Sequence, residues 1–179
     1  MIPDGLFREI SGLESPARVG FVVDLPAAAE IDPDAATVIL DRVQDAGNVG
    51  SILRSAGAFG FRQVLALKGA AALWSPKVLR AGMGAHFGLQ LHEGLELSDL
   101  DALRVPLVVT SSHQGDLVQR LDLPHPCAWA MGHEGQGVGE AVMSQCALKV
   151  AIPQPGGEES LNVAAAAAVC LYESMRRRL

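Results

Sequence analysis

An α/β fold, with a mostly parallel sheet flanked by helices, is predicted by three observations on this 179-residue chain. Apolar strand-like runs alternate with helical patterns from residue 36 onwards, as expected of an α/β layer fold. A hydrophobic content of 49% against 19% charged residues supplies enough apolar surface to offset chain entropy on folding. Aromatic residues make up only 4%, and the prevalence of Ala, Val, Leu and Gly suits buried parallel strands under closely packed helices better than an aromatic-rich sandwich.

The elements follow in chain order. Arg18–Leu25 has the pattern of a strand, and the acidic, Pro-bounded stretch from Pro26 to Asp34 that follows it reads as a connector. A boundary is therefore expected near residues 26–35, separating residues 1–33 from a main domain over 34–179. Strands are predicted at Ala36–Leu40, Gln63–Leu67, Pro106–Thr110, Cys127–Met131 and Leu148–Ile152, with helices near 48–59, 75–83, 137–145 and 161–177. Ser75 followed by Pro76 supplies an N-cap hydroxyl and a proline at the first helical position, where its missing N–H costs nothing. Ser160 is expected to cap the last helix in the same way. That helix ends in Arg176, Arg177 and Arg178, which oppose the negative end of the helix dipole or else contact RNA.

Composition narrows the function classes. A formal charge of −6 argues against indiscriminate nucleic-acid binding, which needs clustered cations, so any such contact must be local. Three widely spaced cysteines in apolar surroundings, Cys127, Cys146 and Cys170, read as buried thiols in a reducing compartment. No run approaches the roughly 20 apolar residues that span a bilayer, and Met1 to Asp4 lacks the basic start of a leader. A cytoplasmic protein without a membrane partner is expected.

Three turn-rich segments, each between a strand and a helix pattern, carry the chemistry. In the first, Gly47 and Gly50 permit close backbone approach, Asn48 lies in the first turn, and Arg54 follows six residues later. Arg54 either holds a phosphate bidentately or is a solvated helix cation, and Asn48 either serves the site or only caps the helix. The second runs Met131-Gly132-His133-Glu134-Gly135-Gln136-Gly137. A zinc-protease helix would need histidine at position 137, where Gly137 stands, and a dinucleotide fingerprint begun at Gly135 would need glycine at 140, where Glu140 stands. What remains is a glycine-rich turn able to pack against a planar ligand, with Glu134 as its carboxylate. The third joins Ile152-Pro153 to Ser160-Leu161-Asn162-Val163, where Asn162 can bond neighbouring loops or cap the helix.

Taken in order and spacing, these blocks resemble the signature motifs of the SpoU (TrmH) family of RNA ribose 2′-O-methyltransferases, within the SPOUT superfamily. The resemblance rests on Asp45-Ala46-Gly47-Asn48-Val49-Gly50 with Arg54-Ser55-Ala56, on Gly132 to Gly137, and on Ile152-Pro153 with Ser160-Leu161-Asn162-Val163. It implies a C-terminal trefoil knot and S-adenosylmethionine as cofactor. It also implies rRNA or tRNA as substrate, a homodimer whose interface helps form the site, and no metal. By position it assigns Thr110, Gly132, Ile152 and Leu161 to the cofactor and Asn48, Arg54, Glu134, Ser160 and Asn162 to the functional polar set. It places Glu134 and Asn48 where they would position Arg54 and the ribose. It marks residues 1–33 as the tail of an N-terminal RNA-binding domain plus linker, and the acidic balance favours a fragment of a longer protein. Ala46 and Ala164 depart from the usual proline and serine of the family. A non-catalytic RNA-binding or assembly module retaining the fold is the alternative.

Overall fold

In the computed structural model of the chain, residues 2–178 are described except 12, 18, 28, 112–114 and 157–159. Seven strands form one sheet in the order β3-β2-β1-β6-β4-β7-β5, and every pairing is parallel. They are β1 (Thr37–Asp41), β2 (Gln63–Leu67), β3 (Gln90–Leu95), β4 (Leu107–Thr110), β5 (Asp116–Leu117), β6 (Ala128–Gly132) and β7 (Leu148–Ala151). The helices are α1 (Asp4–Ser11), α2 (Ala46–Ala58), α3 (Pro76–Gly82), α4 (Glu140–Met143) and α5 (Val163–Arg176).

Side-chain alternation along the central strands divides the core in two. Val38, Leu40, Val64, Trp129 and Met131 face α2, α3 and α5, whereas Ile39, Leu65, Ala128 and Ala130 face α4 and a 3-10 turn at Leu97–Ala102. Strands covered on both faces must be apolar throughout, which is why β1, β2 and β6 are legible as continuous runs. The α2 face packs closely. A Cβ on Gly50 would lie 2.3 Å from the Ala81 Cβ of α3. Trp129 donates its indole N–H to Ser174 Oγ of α5 at 2.9 Å, satisfying a polar atom inside this core.

Two late strands sit between earlier ones: β6 lies between β1 and β4, and β7 between β4 and β5. This arrangement brings the C-terminal ends of β1, β6, β4 and β7 side by side at one sheet edge.

Several expectations are corrected. Residues 19–25 form no strand and Val19, Phe21, Val22, Val23 and Leu25 are exposed, because no neighbouring strand pairs with them; Arg18 lies outside the described residues. The helix expected over 137–145 contracts to α4, since Gly137 adopts φ +70° in a turn closed by the Gly137 N–H on the His133 carbonyl. Asn162, not Ser160, caps α5: its Oδ1 accepts from Ala164 and Ala165 at 2.9 and 3.2 Å. Cys127 and Cys170 are buried as expected, and burial pushes both thiols up to about 12, but Cys146 is only half-buried. Ser75 does cap α3, with Pro76 following it. At the C-terminus, Arg176 and Arg177 both pair with Glu173, and Arg177 also donates to the Val118 carbonyl.

Candidate active site

The site grows from three loops at the sheet edge. After β1 the chain turns through Arg42, a non-glycine residue at φ +58°, and enters α2 behind Asp45, whose carboxylate accepts from the Asn48 amide at 2.7 Å. After β6 it doubles back so tightly that a Cβ on Gly132 would sit 2.1 Å from the Gly137 carbonyl carbon and from the Val138 nitrogen. Only glycine fits there, for steric reasons independent of φ. His133 Nδ1 accepts from the Gly135 and Gln136 amides, holding the turn in shape. After β7 the chain runs through Ile152 to Leu161 before α5 begins.

Two small networks lock the loops together. Asp41, buried at the end of β1, accepts from the Gly139 amide at 2.5 Å and from Arg42 Nε at 3.0 Å, while Arg42 Nη1 donates to Gln136 Oε1 at 3.0 Å. In the second, Glu134 Oε1 accepts from Asn48 Nδ2 and from the Asp45 amide, both at 3.1 Å, and Oε2 from the Gln44 amide at 3.4 Å. Asn48 Oδ1 then accepts from Asn162 Nδ2 at 2.9 Å. Glu134, Asn48 and Asn162 thus form one chain of hydrogen bonds from the second loop, through the first, to the third. Burial raises the Glu134 pKa, but donors from Asn48 and the backbone amides of Glu134, Asp45 and Gln44 outweigh it and hold the carboxyl below its usual value.

Beside this chain lies a cleft of about 480 Å³. Thr110, Gly132, Ile152 and Leu161, the four positions assigned to the cofactor, all line it, and so do Ser160 and Glu134. Its volume falls within the roughly 300–1,000 Å³ of small-ligand sites. Backbone, hydroxyl and aliphatic groups dominate the wall, and Glu134 is the sole carboxylate on it among the described residues. Among the described residues no group of three His, Cys, Asp or Glu is placed to hold a metal ion.

Arg54 is not brought to this cleft. It is exposed and lines a separate concavity of about 450 Å³ with Arg62, Met83 and Gly84. The reason is helical geometry: six residues at 3.6 per turn carry Arg54 about 120° round α2 from Asn48. The expected contact of Glu134 and Asn48 with Arg54 is accordingly not formed; they bond each other and Asn162 instead. Asp41 and Arg42 were not singled out in the sequence, where an acid ending an apolar run was their only signal.

The SpoU rRNA methylase family model matches residues 35–172, most of the chain. The chain belongs to the SpoU rRNA methylase family. Over 192 aligned residues it is 32% identical to the 23S rRNA (uridine(2479)-2′-O)-methyltransferase of Streptomyces viridochromogenes, covering 100% of this chain and 67% of that enzyme. It is 37% identical to the 23S rRNA (guanosine-2′-O-)-methyltransferase RlmB of Bordetella pertussis, over 83% of this chain and 62% of that one. Among solved structures, the SpoU methyltransferase AviRb from Streptomyces viridochromogenes in complex with the cofactor AdoMet superposes with a TM-score of 0.78 at 32% identity, over 87% of this chain and 66% of that chain. The chain therefore spans about two thirds of the length of these SpoU relatives. They are named as enzymes and give the non-catalytic alternative no support.

Proposed function

We propose that this SpoU domain transfers a methyl group from S-adenosylmethionine to a ribose 2′-hydroxyl of RNA, with 23S ribosomal RNA as the first substrate to test. The observation that supports it most is the convergence of three motif loops on one cleft lined by Thr110, Gly132, Ile152 and Leu161. The backbone edges of Gly132 and Ile152 would suit the nucleoside of the cofactor, and the aliphatic surface of Leu161 and Ile152 would suit the methylene groups of its methionine arm.

When bound, S-adenosylmethionine supplies an electrophilic methyl, so that a new O–CH3 bond forms as the S–CH3 bond breaks and the hydroxyl proton is released. The rest falls to residues of the chain. Glu134 is a poor proton acceptor, because both oxygens are occupied by donors and its pKa is held down. Asn48 and Asn162 spend their amides on Glu134, on each other and on the α5 cap. These three are positioning residues that hold the loops in register. Ser160 is exposed on the cleft wall, where its hydroxyl can meet the ribose. Arg54 orients an RNA phosphate through its planar guanidinium and stabilises negative charge developing at the hydroxyl.

Because Arg54 lies outside the cleft of its own chain, the reading includes a homodimer in which a second copy brings its Arg54 to that cleft. The trefoil threading of the C-terminal part, and the assignment of residues 1–33 as the tail of an RNA-binding domain, belong to the same proposal. So does a cytoplasmic site of action; among the described residues no helix is long and apolar enough to cross a membrane.

Calorimetry with S-adenosylmethionine, combined with labelled methyl transfer to ribosomal RNA, tests the proposal. Arg54→Ala is expected to lower transfer by about 100-fold or more while cofactor affinity stays within a few-fold. Loss of cofactor affinity in that variant would place Arg54 in the cofactor pocket instead, and absence of cofactor binding by the unaltered protein would refute the function.

A further inference from the structure

We infer that Asp41 and Arg42 are positioning residues for the cofactor, acting from outside the cleft by fixing the loop from Gln136 to Gly139, part of which forms the cleft wall. The inference rests on the function given above and extends it to two residues outside the motif set. Arg42 adopts φ +58°, a conformation that is routine for glycine and unfavourable for most other residues. That conformation has a geometric use. Successive side chains of a strand point to opposite faces, so in extended backbone Asp41 and Arg42 would diverge. In the left-handed turn they meet: Arg42 Nε donates to Asp41 Oδ1 at 3.0 Å and Nη2 to Oδ2 at 3.3 Å, which leaves Nη1 to reach Gln136 Oε1 at 3.0 Å.

The guanidinium is packed as well as bonded. A Cβ on Gly69, in the turn after β2, would lie 3.1 Å from Arg42 Cγ, and one on Gly139 would lie 2.9 Å from Arg42 Nη2 and 3.1 Å from Asp41 Oδ2. Asp41 Oδ2 also accepts from the Gly139 amide at 2.5 Å. The pair therefore grips the loop after β6 at two points, Gln136 and Gly139, and ties both to the end of β1. Gly137 and Val138 lie between those points and, with Gln136, line the cleft. Glycine at 135, 137 and 139 gives this loop unusual conformational freedom. Ordering such a loop weakens ligand binding unless the fold has already ordered it. The Asp41 side chain is only 6% exposed, so the ion pair that does this is less screened than one lying wholly in water.

The test compares the unaltered chain with Arg42→Gly and Arg42→Asn, which both accept the left-handed backbone without supplying a guanidinium. Asp41 is kept, because removing it would leave the Gly139 amide without its acceptor. Calorimetry with S-adenosylmethionine is expected to show about 10-fold weaker binding by each variant. Methyl transfer at saturating cofactor should stay within about twofold, since the wall is the same once the cofactor has ordered it. In the cofactor-free protein, amide exchange should quicken at Gly137 and Gly139 while the amides of β1 and β2 keep their protection. Unchanged affinity in both variants overturns the inference. So does weaker binding by Arg42→Gly alone, which would assign the effect to backbone freedom, and so does faster exchange spread over the strands, which would assign it to general destabilisation. Absence of cofactor binding by the unaltered chain refutes the function and this inference with it, whereas equal binding by variants and unaltered chain refutes only the inference.

Discussion

Glu134 accepts four hydrogen bonds if its own amide is included, and this explains both its depressed pKa and its role. A carboxylate so placed stabilises the fold only while ionised. Its folded pKa lies below the ordinary value of about 4.3, so its contribution is complete above that value and is lost as the pH falls through the depressed one. The thermal midpoint of the unaltered protein should therefore exceed that of Glu134→Gln at about pH 6, and the gap should narrow towards about pH 3. A gap independent of pH would show that the charge of Glu134 contributes nothing. The sequence identified Glu134 by its place in a glycine-rich turn, yet not its partners, since Gln44, Asp45 and Asn48 lie about 90 positions away in the chain. The need for glycine at 132 was legible only as a motif. Its cause is the return of Gly137 and Val138 over the strand end, a contact no local pattern encodes.

At the scale of elements, α2 and α5 are joined at their N-terminal ends by the Asn48–Asn162 bond and, near α2's C-terminal end, by the edge contact of Phe59 with Tyr172 at 5.8 Å. Asn162 serves two elements at once, capping α5 with its oxygen and holding Asn48 with its nitrogen. Asn162→Ala is expected to cost about 1 kcal/mol for the cap alone. In a double-mutant cycle by denaturant unfolding, Asn48→Ala and Asn162→Ala should couple by about 0.5–3 kcal/mol. Strict additivity would show that the bond carries no free energy. Five of the seven strands could be read from sequence because they are largely apolar runs. β3 could not, being an edge strand with exposed polar positions and Gly94, and neither could β5, only two residues long. Val19 to Leu25 has the composition of a strand without a strand to pair with, so periodicity misled there.

For the whole molecule, the insertion of β6 and β7 between earlier strands creates the cleft, and strand order of this kind has no local signature. Arg54 illustrates the same limit. Its spacing pointed to the loop it follows, whereas helical rotation turns it towards a different surface and hence, in the proposed dimer, towards a second copy. Complementation measures this directly. Arg54→Ala and Leu161→Arg, the latter obstructing the cleft, should each be inactive, while mixed dimers should regain about a quarter of the unaltered activity through one complete site per heterodimer. No recovery on mixing would confine Arg54 to its own chain. The assembled species should sediment at twice the 18.8 kDa of one chain.

The central claim is methyl transfer to a ribose 2′-hydroxyl, and alkaline hydrolysis of ribosomal RNA labelled with methyl-tritiated S-adenosylmethionine tests it most directly. A methyl on the 2′-oxygen removes the nucleophile that cleaves the neighbouring phosphodiester, so the account predicts tritium in alkali-resistant dinucleotides; tritium in mononucleotides, or none in the RNA, would contradict it.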